Sequence, residues 1–192
     1  MKKKTIKILK KSCMALAGSG LMACSTPSGS NAVLQEPLGW QQTLEQKLPL
    51  LGHRNWVVVT DMAYPLQTNP GILTLYSTDG FEQTVRQVSQ MIDKAPHIFA
   101  HVYLDEEQKA MSEALCLGWN DYQEKLKTSL KLDEAKYILH EELIHKLDEV
   151  SKLCQVVIIK TNLTLPYSSV FFELDCNYWN AENENKLRQS ME

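Results

Sequence analysis

Four consecutive apolar residues, Trp56-Val57-Val58-Val59, constrain this chain more than any other stretch. β-branched side chains dominate the run, and it lacks the polar alternation of a strand with one wet face. It therefore reads as a strand buried on both faces, as in the middle of a parallel sheet. Its surroundings, Leu51-Gly52-His53-Arg54-Asn55 before it and Thr60-Asp61 after it, put a histidine and an aspartate at its two ends. These residue types are the ones most used for proton transfer near neutral pH. As plain structure, His53 would be a loop residue and Asp61 the start of a turn.

The remaining pattern extends that sheet. Gly71 to Tyr76, His97 to Leu104, Lys136 to Leu139, Gln155 to Ile159 and Val170 to Leu174 all read as strands. Trp40, Leu44, Leu48 and Leu51 recur at helical spacing, interrupted by Pro49. Phe81, Val85, Val88 and Ile92 repeat at i, i+4, i+7 and i+11, an amphipathic helix that Pro96 stops. Glu141 to Leu153 is a helix with Leu143, Leu147, Val150 and Leu153 on one face. Asp105-Glu106-Glu107 is expected to open another, long helix, because acids are favoured in a first turn. Strands alternating with helices predict a single α/β domain, a mostly parallel sheet with helices on both faces.

The N-terminus follows different rules. Six lysines lie among the first eleven residues, and Cys13 to Ala23 is then small and apolar without a charge. A basic segment, a short apolar segment and a small-residue cleavage site mark a secretory signal over 1–23. Leu21-Met22-Ala23-Cys24 resembles the lipobox of bacterial lipoproteins, which implies acylation of Cys24 as the new N-terminus. Ser25 beside that cysteine is similar to lipoproteins sorted to the outer membrane. Residues 24–38, rich in Ser, Pro, Gly and Asn, are then a flexible tether, 39–176 the folded domain, and 177–192 an exposed polar tail. Two or more acyl chains would hold the domain on a membrane in the cell envelope.

Several chemistries are excluded. Removing Cys13 and Cys24 leaves Cys116, Cys154 and Cys176, an odd number without Cys-x-x-Cys spacing, so neither a disulfide framework nor a zinc site follows. His140 and His145 suggest a metalloprotease motif, but five residues separate them by about 140° on a helix, so they cannot share one metal. There is no glycine-rich phosphate loop, and the net charge of −3, with no basic cluster beyond the leader, argues against nucleic acid. No metal or cofactor is implied. His97 and His101 are read as surface or satisfied core residues.

In this order the motifs resemble those of the D-ribose pyranase and L-fucose mutarotase family. Leu51-Gly52-His53, then a strand ending in Asp61, is similar to its Leu-Gly-His segment, with the same spacing from histidine to aspartate. Pro65 stands at that family's proline. His140-Glu141-Glu142-Leu143 is similar to its His-Glu-Glu-Phe. Lys160-Thr161 and Pro166-Tyr167-Ser168-Ser169-Val170 look like its closing motif, with Ser169 in place of an asparagine. The resemblance spans roughly residues 40 to 175 and implies the fold. It also implies His53 as general acid or base, and Asp61, His140, Tyr167, Ser168 and Ser169 as sugar-binding residues. A histidine can carry protons for sugar ring opening without metal or cofactor.

The function expected is binding of a monosaccharide, with interconversion of its ring forms or anomers. The alternatives are an envelope lipoprotein that binds sugar or assembles without catalysis, and a structural lipoprotein with no small-molecule site. A fully extended strand would separate His53 from Asp61 by roughly 26 Å. Either the chain folds back between Gly52 and Trp56, or the two residues serve one sugar from neighbouring subunits, or they never cooperate. The resemblance implies ring-like homo-oligomers with pockets at subunit contacts, and so the shared site.

Overall fold

The computed structural model describes residues 39–130 and 132–191; the leader, Cys24 and the tether lie outside the described residues. The valine-rich run forms β1 (Trp56–Thr60), buried at every position. On one side β1 pairs in parallel with β5 (Val156–Lys160), and β2 (Ile72–Tyr76) extends the sheet in parallel beyond β5. On the other side lies β6 (Val170–Cys176), antiparallel to β1. β3 (Ile98–Asp105) is antiparallel to β6, and β4 (Lys136–Ile138) runs parallel to β3 at the edge. The order is β2-β5-β1-β6-β3-β4. The sheet is mostly parallel; only β6 runs against its neighbours. The connection over 161–169 is too short for the crossover that a parallel return needs, so the chain turns back.

Side chains alternate between two cores, because successive residues of a strand face opposite ways. Val57, Val59, Val157, Ile159, Phe172 and Leu174 face α1 (Trp40–Lys47), α2 (Phe81–Lys94) and α3 (Trp119–Ser129). Trp56, Val58, Val156, Ile158, Tyr103 and Phe171 face α4 (His140–Val150), which contributes Leu143 and Leu147. Helices therefore cover both faces. Fully burying one such aliphatic side chain contributes roughly 1.5–3 kcal/mol. The apolar stripe of α2, Phe81, Val85, Val88 and Ile92, is the main reason that helix is fixed on the sheet. It stops at Ala95, whose extended backbone is the one favoured before Pro96.

Two stretches differ from expectation. Asp105 ends β3 instead of opening a long helix; a short 3-10 turn, Glu106–Lys109, follows, and α3 begins only at Trp119. Gly118, at φ 91°, precedes α3 in a left-handed conformation that a continuous helix could not contain. The Glu113 carboxylate caps α3 by accepting from the N–H groups of Gly118 and Asn120. Glu107 serves another helix: its carboxylate accepts the His140 N–H, at 3.1 and 3.2 Å, at the N-terminus of α4. The polar C-terminal stretch is largely exposed and carries α5 (Ala181–Gln189). The Asn180 side chain caps it, and Glu182–Lys186 and Glu184–Arg188 pairs lie along it.

Gly71, just before β2, marks a close approach of two backbones. A Cβ there would sit 1.9 Å from the Ser151 carbonyl oxygen and 2.9 Å from that of Cys154. Its own carbonyl accepts the Val156 N–H at the start of β5. Only glycine lets β2 come this close to the turn after α4.

Candidate functional site

The polar residues of interest collect at the two opposite ends of β1. At its C-terminal end Asp61 accepts the Ala63 N–H at 2.7 Å and forms a turn. On the neighbouring strands the register places Thr60, Ser169 and Asp105 one step beyond the Val59–Val170 and Leu104–Val170 pairs. All three are buried on the α4 side of the sheet, and Thr60 Oγ1, Ser169 Oγ and Asp105 Oδ2 have no protein partner among the described residues. Lys160, paired with Thr60 in register, donates from Nζ to the Tyr64 carbonyl.

His140 lies over this row. Its Nδ1 is 3.0 Å from Asp105 Oδ1, and its ring meets that of Tyr167 edge-on at 5.5 Å. Tyr167 is a non-glycine residue at positive φ, 53°. That backbone is held from beneath: Gln108 Nε2 donates to the Tyr167 carbonyl and the Tyr122 hydroxyl to that of Ser168. Ser168 turns inward, its hydroxyl donating to the Leu165 carbonyl. Asp61, His140, Tyr167, Ser168 and Ser169 thus belong to one end of the sheet. The Ser168 hydroxyl is committed to the protein, and Ser169 is buried.

The electrostatics of this end follow from burial. Asp105 is wholly buried, which pushes its carboxyl above the usual range; its hydrogen bond to His140 opposes that, and the charges of Glu107 and Asp61 add to it. The bond to Asp105 raises the imidazole of His140, against the effect of its own burial. A raised pKa for His140 means stability that is complete below its unfolded value near ~6.5 and lost as pH rises through the folded value. Asp105, also raised, acts in the same direction over a window that begins near its unfolded value of ~3.9. Denaturant unfolding from pH 6 to 9 is therefore expected to show stability falling as pH rises. His140→Asn should flatten that dependence; an unchanged slope in the variant would contradict the assignment.

His53 stands at the other end of β1, before Trp56, and does not reach Asp61 within one chain. Its side chain is 58% exposed, and Nδ1 lies 2.6 Å from Asp175 Oδ1 at the end of β6. His101 Nε2 of β3 is 3.5 Å from the second oxygen of that carboxylate, and its ring packs edge-on against Phe99 at 4.9 Å. Burial raises the Asp175 carboxyl, but the Cys176 N–H and the two imidazoles more than offset this and leave it below the usual range. Arg54, beside His53, has φ 71°. Arg54 and Tyr167 are the only non-glycine residues at positive φ among the described residues, and each lies at or beside a candidate site residue. His97 is structural: Nε2–H donates to the carbonyls of Leu48 and Leu51.

Sequence reasoning missed Asp105 and Asp175. A carboxylate at a strand end carries no signal until the register of β3 and β6 shows which histidine it meets.

No family model matches the chain. No curated protein matches it either. Solved structures do. FucU from Bifidobacterium longum is 14% identical over 70% of this chain and 94% of its own, with a TM-score of 0.47. The fucose mutarotase from Streptococcus pneumoniae, in complex with L-fucose, is 14% identical over 69% and 91%, with a TM-score of 0.46. RbsD from Bacillus subtilis, complexed with D-ribose, is 22% identical over 73% of this chain and 97% of its own, with a TM-score of 0.50. The chain therefore has the α/β fold of RbsD, the fold implied by the order of its motifs from Leu51-Gly52-His53 to Tyr167-Ser168-Ser169.

Proposed function

We propose that this chain binds a monosaccharide and interconverts its ring forms or anomers, with His53 as the proton carrier. The observation that carries the proposal is the pair of carboxylate-backed imidazoles, His140 on Asp105 and His53 on Asp175. Opening a cyclic hemiacetal removes the proton of the anomeric hydroxyl, breaks the bond from the anomeric carbon to the ring oxygen, and protonates that oxygen. Closure on the other face, or through another hydroxyl, reverses these transfers. Two imidazoles, one basic and one protonated, can supply both without a net gain or loss of protons. Tyr167, 37% exposed, offers an aromatic face and a hydroxyl to a sugar.

One chain cannot bring the two ends of β1 to one sugar, so the site is formed by two copies, His53 from one and Asp61, His140 and Tyr167 from the next. In support, RbsD, whose fold this chain shares, was solved with D-ribose bound. The same proposal puts the domain at the outer membrane of a bacterial envelope through acylated Cys24. Fatty-acid labelling of the wild-type chain and of Cys24→Ser checks that part.

NMR exchange spectroscopy on anomeric signals, over a sugar panel including ribose and fucose, tests the activity. Faster exchange with at least one sugar is expected; binding without exchange favours a non-catalytic sugar-binding lipoprotein. The inward hydroxyl of Ser168 and the buried Ser169 favour that second reading. The absence of both binding and exchange refutes both readings. Mixing inactive His53→Ala with inactive Asp61→Asn protein should restore part of the exchange, because some pockets then receive both intact residues. No recovery despite proven subunit mixing would exclude the shared site.

A further inference from the structure

We propose that Asp175 is the positioning residue of His53, fixing which ring nitrogen holds the proton and leaving Nε2 as the nitrogen that exchanges protons. This rests on the reading of His53 as proton carrier and adds a residue to it. Asp175 Oδ1 lies 2.6 Å from His53 Nδ1. An ionised carboxylate accepts hydrogen bonds and cannot donate them. Of the two neutral tautomers, only the one with hydrogen on Nδ1 satisfies this contact. Nε2 then carries the free lone pair, and it has no protein partner among the described residues.

Three independent features hold this arrangement. The carboxylate is gripped from several sides: Oδ1 also accepts the Cys176 N–H at 2.7 Å, and Oδ2 faces His101 Nε2 at 3.5 Å. The His53 loop is tied to the same strand by backbone bonds, Arg54 N–H to the Leu174 carbonyl at 3.0 Å and Leu174 N–H to that of Asn55 at 2.8 Å. The turn is closed on itself by Gly52 N–H to Asn55 Oδ1 and by Asn55 N–H to the Gly52 carbonyl. Within it, Arg54 keeps a left-handed backbone that a non-glycine residue adopts only when its surroundings impose it. An exposed histidine serving only solubility would need none of these ties. Their common result is one imidazole orientation with one bare nitrogen.

Nitrogen-15 NMR of the full-length protein, above the imidazole titration, reads the tautomer directly. Wild-type His53 should show Nδ1–H and an unprotonated Nε2. Asp175→Ala should show a mixture of both tautomers, while Asp175→Glu, which keeps the charge, should restore at least part of the Nδ1–H form. With a sugar that exchanges, Asp175→Ala should lower kcat by about tenfold or more and leave KM nearly unchanged, a part of the full general acid–base contribution. An Nε2–H tautomer in the wild type, or a lone Nδ1–H form persisting in Asp175→Ala, overturns the proposal. A wild type that exchanges no sugar overturns the catalytic reading of His53, while the tautomer still decides whether Asp175 orients it.

Discussion

His53→Ala is expected to slow anomer exchange by roughly 10²–10⁴, the scale of general acid–base help, and to leave the melting temperature almost where it was. The two halves of that expectation come from the same geometry. The side chain is more than half exposed and its one hydrogen bond goes to a partly exposed carboxylate, a contact worth only ~0–1 kcal/mol in the fold. His53 is not among the buried residues of either core, so a methyl group in its place leaves no core cavity. Loss of exchange with retained stability would therefore assign a chemical role. An unaltered rate in the variant would remove His53 from the mechanism, and a large drop in stability would mean that the loop depends on the ring.

Gly71→Ala is expected to do the reverse, destabilising the protein with no direct effect on either polar end. The new Cβ would meet the Ser151 carbonyl oxygen at 1.9 Å and its carbon at 2.8 Å, both backbone atoms that cannot swing aside. Relief requires moving β2 away from the turn after α4, which strains the parallel β2–β5 ladder and the Val156 N–H bond to Gly71. Overpacking of this kind costs about 3 kcal/mol or more, which lowers the melting temperature on the order of 10 °C for a chain of this size. Thermal denaturation monitored by circular dichroism measures it. A melting temperature within a degree or two of wild type would mean that the two backbones are not as close as described.

Most of the fold was legible from residues alone, for a definable reason. β1, β5 and the stripes of α2 and α4 are set by apolar side chains whose period matches one kind of element and whose burial exceeds any local preference. The stretch from Asp105 to Gly118 was misread because its acids answer to a distant helix. Glu107 caps α4 across 33 residues of sequence, and a local rule for helix starts cannot know this. The site divides in the same way. Asp61, His140 and Tyr167 come to one end of the sheet because each lies at, or within a few residues of, the end of an element, and element ends can be read. Simple strand geometry also set His53 apart from Asp61. The carboxylates behind the two histidines could not be read, since Asp175 lies 122 positions from His53 and meets it only through strand register.

The place of β6 in the sheet bears on how the domain can be made. Without it the sheet is two pieces, β2-β5-β1 and β3-β4, with β1 and β3 each offering an open edge. β6 comes after the other strands of this sheet in chain order, and it alone bridges them. The sheet therefore stays in two pieces until β6 is added; a chain ending before Val170 exposes two unpaired edges and both halves of the apolar interior. The same late segment brings Tyr167, Ser168 and Ser169 to one end of the sheet and Asp175 to the other. Closure of the fold and assembly of both polar ends are thus a single event, and a truncated chain would lose both together.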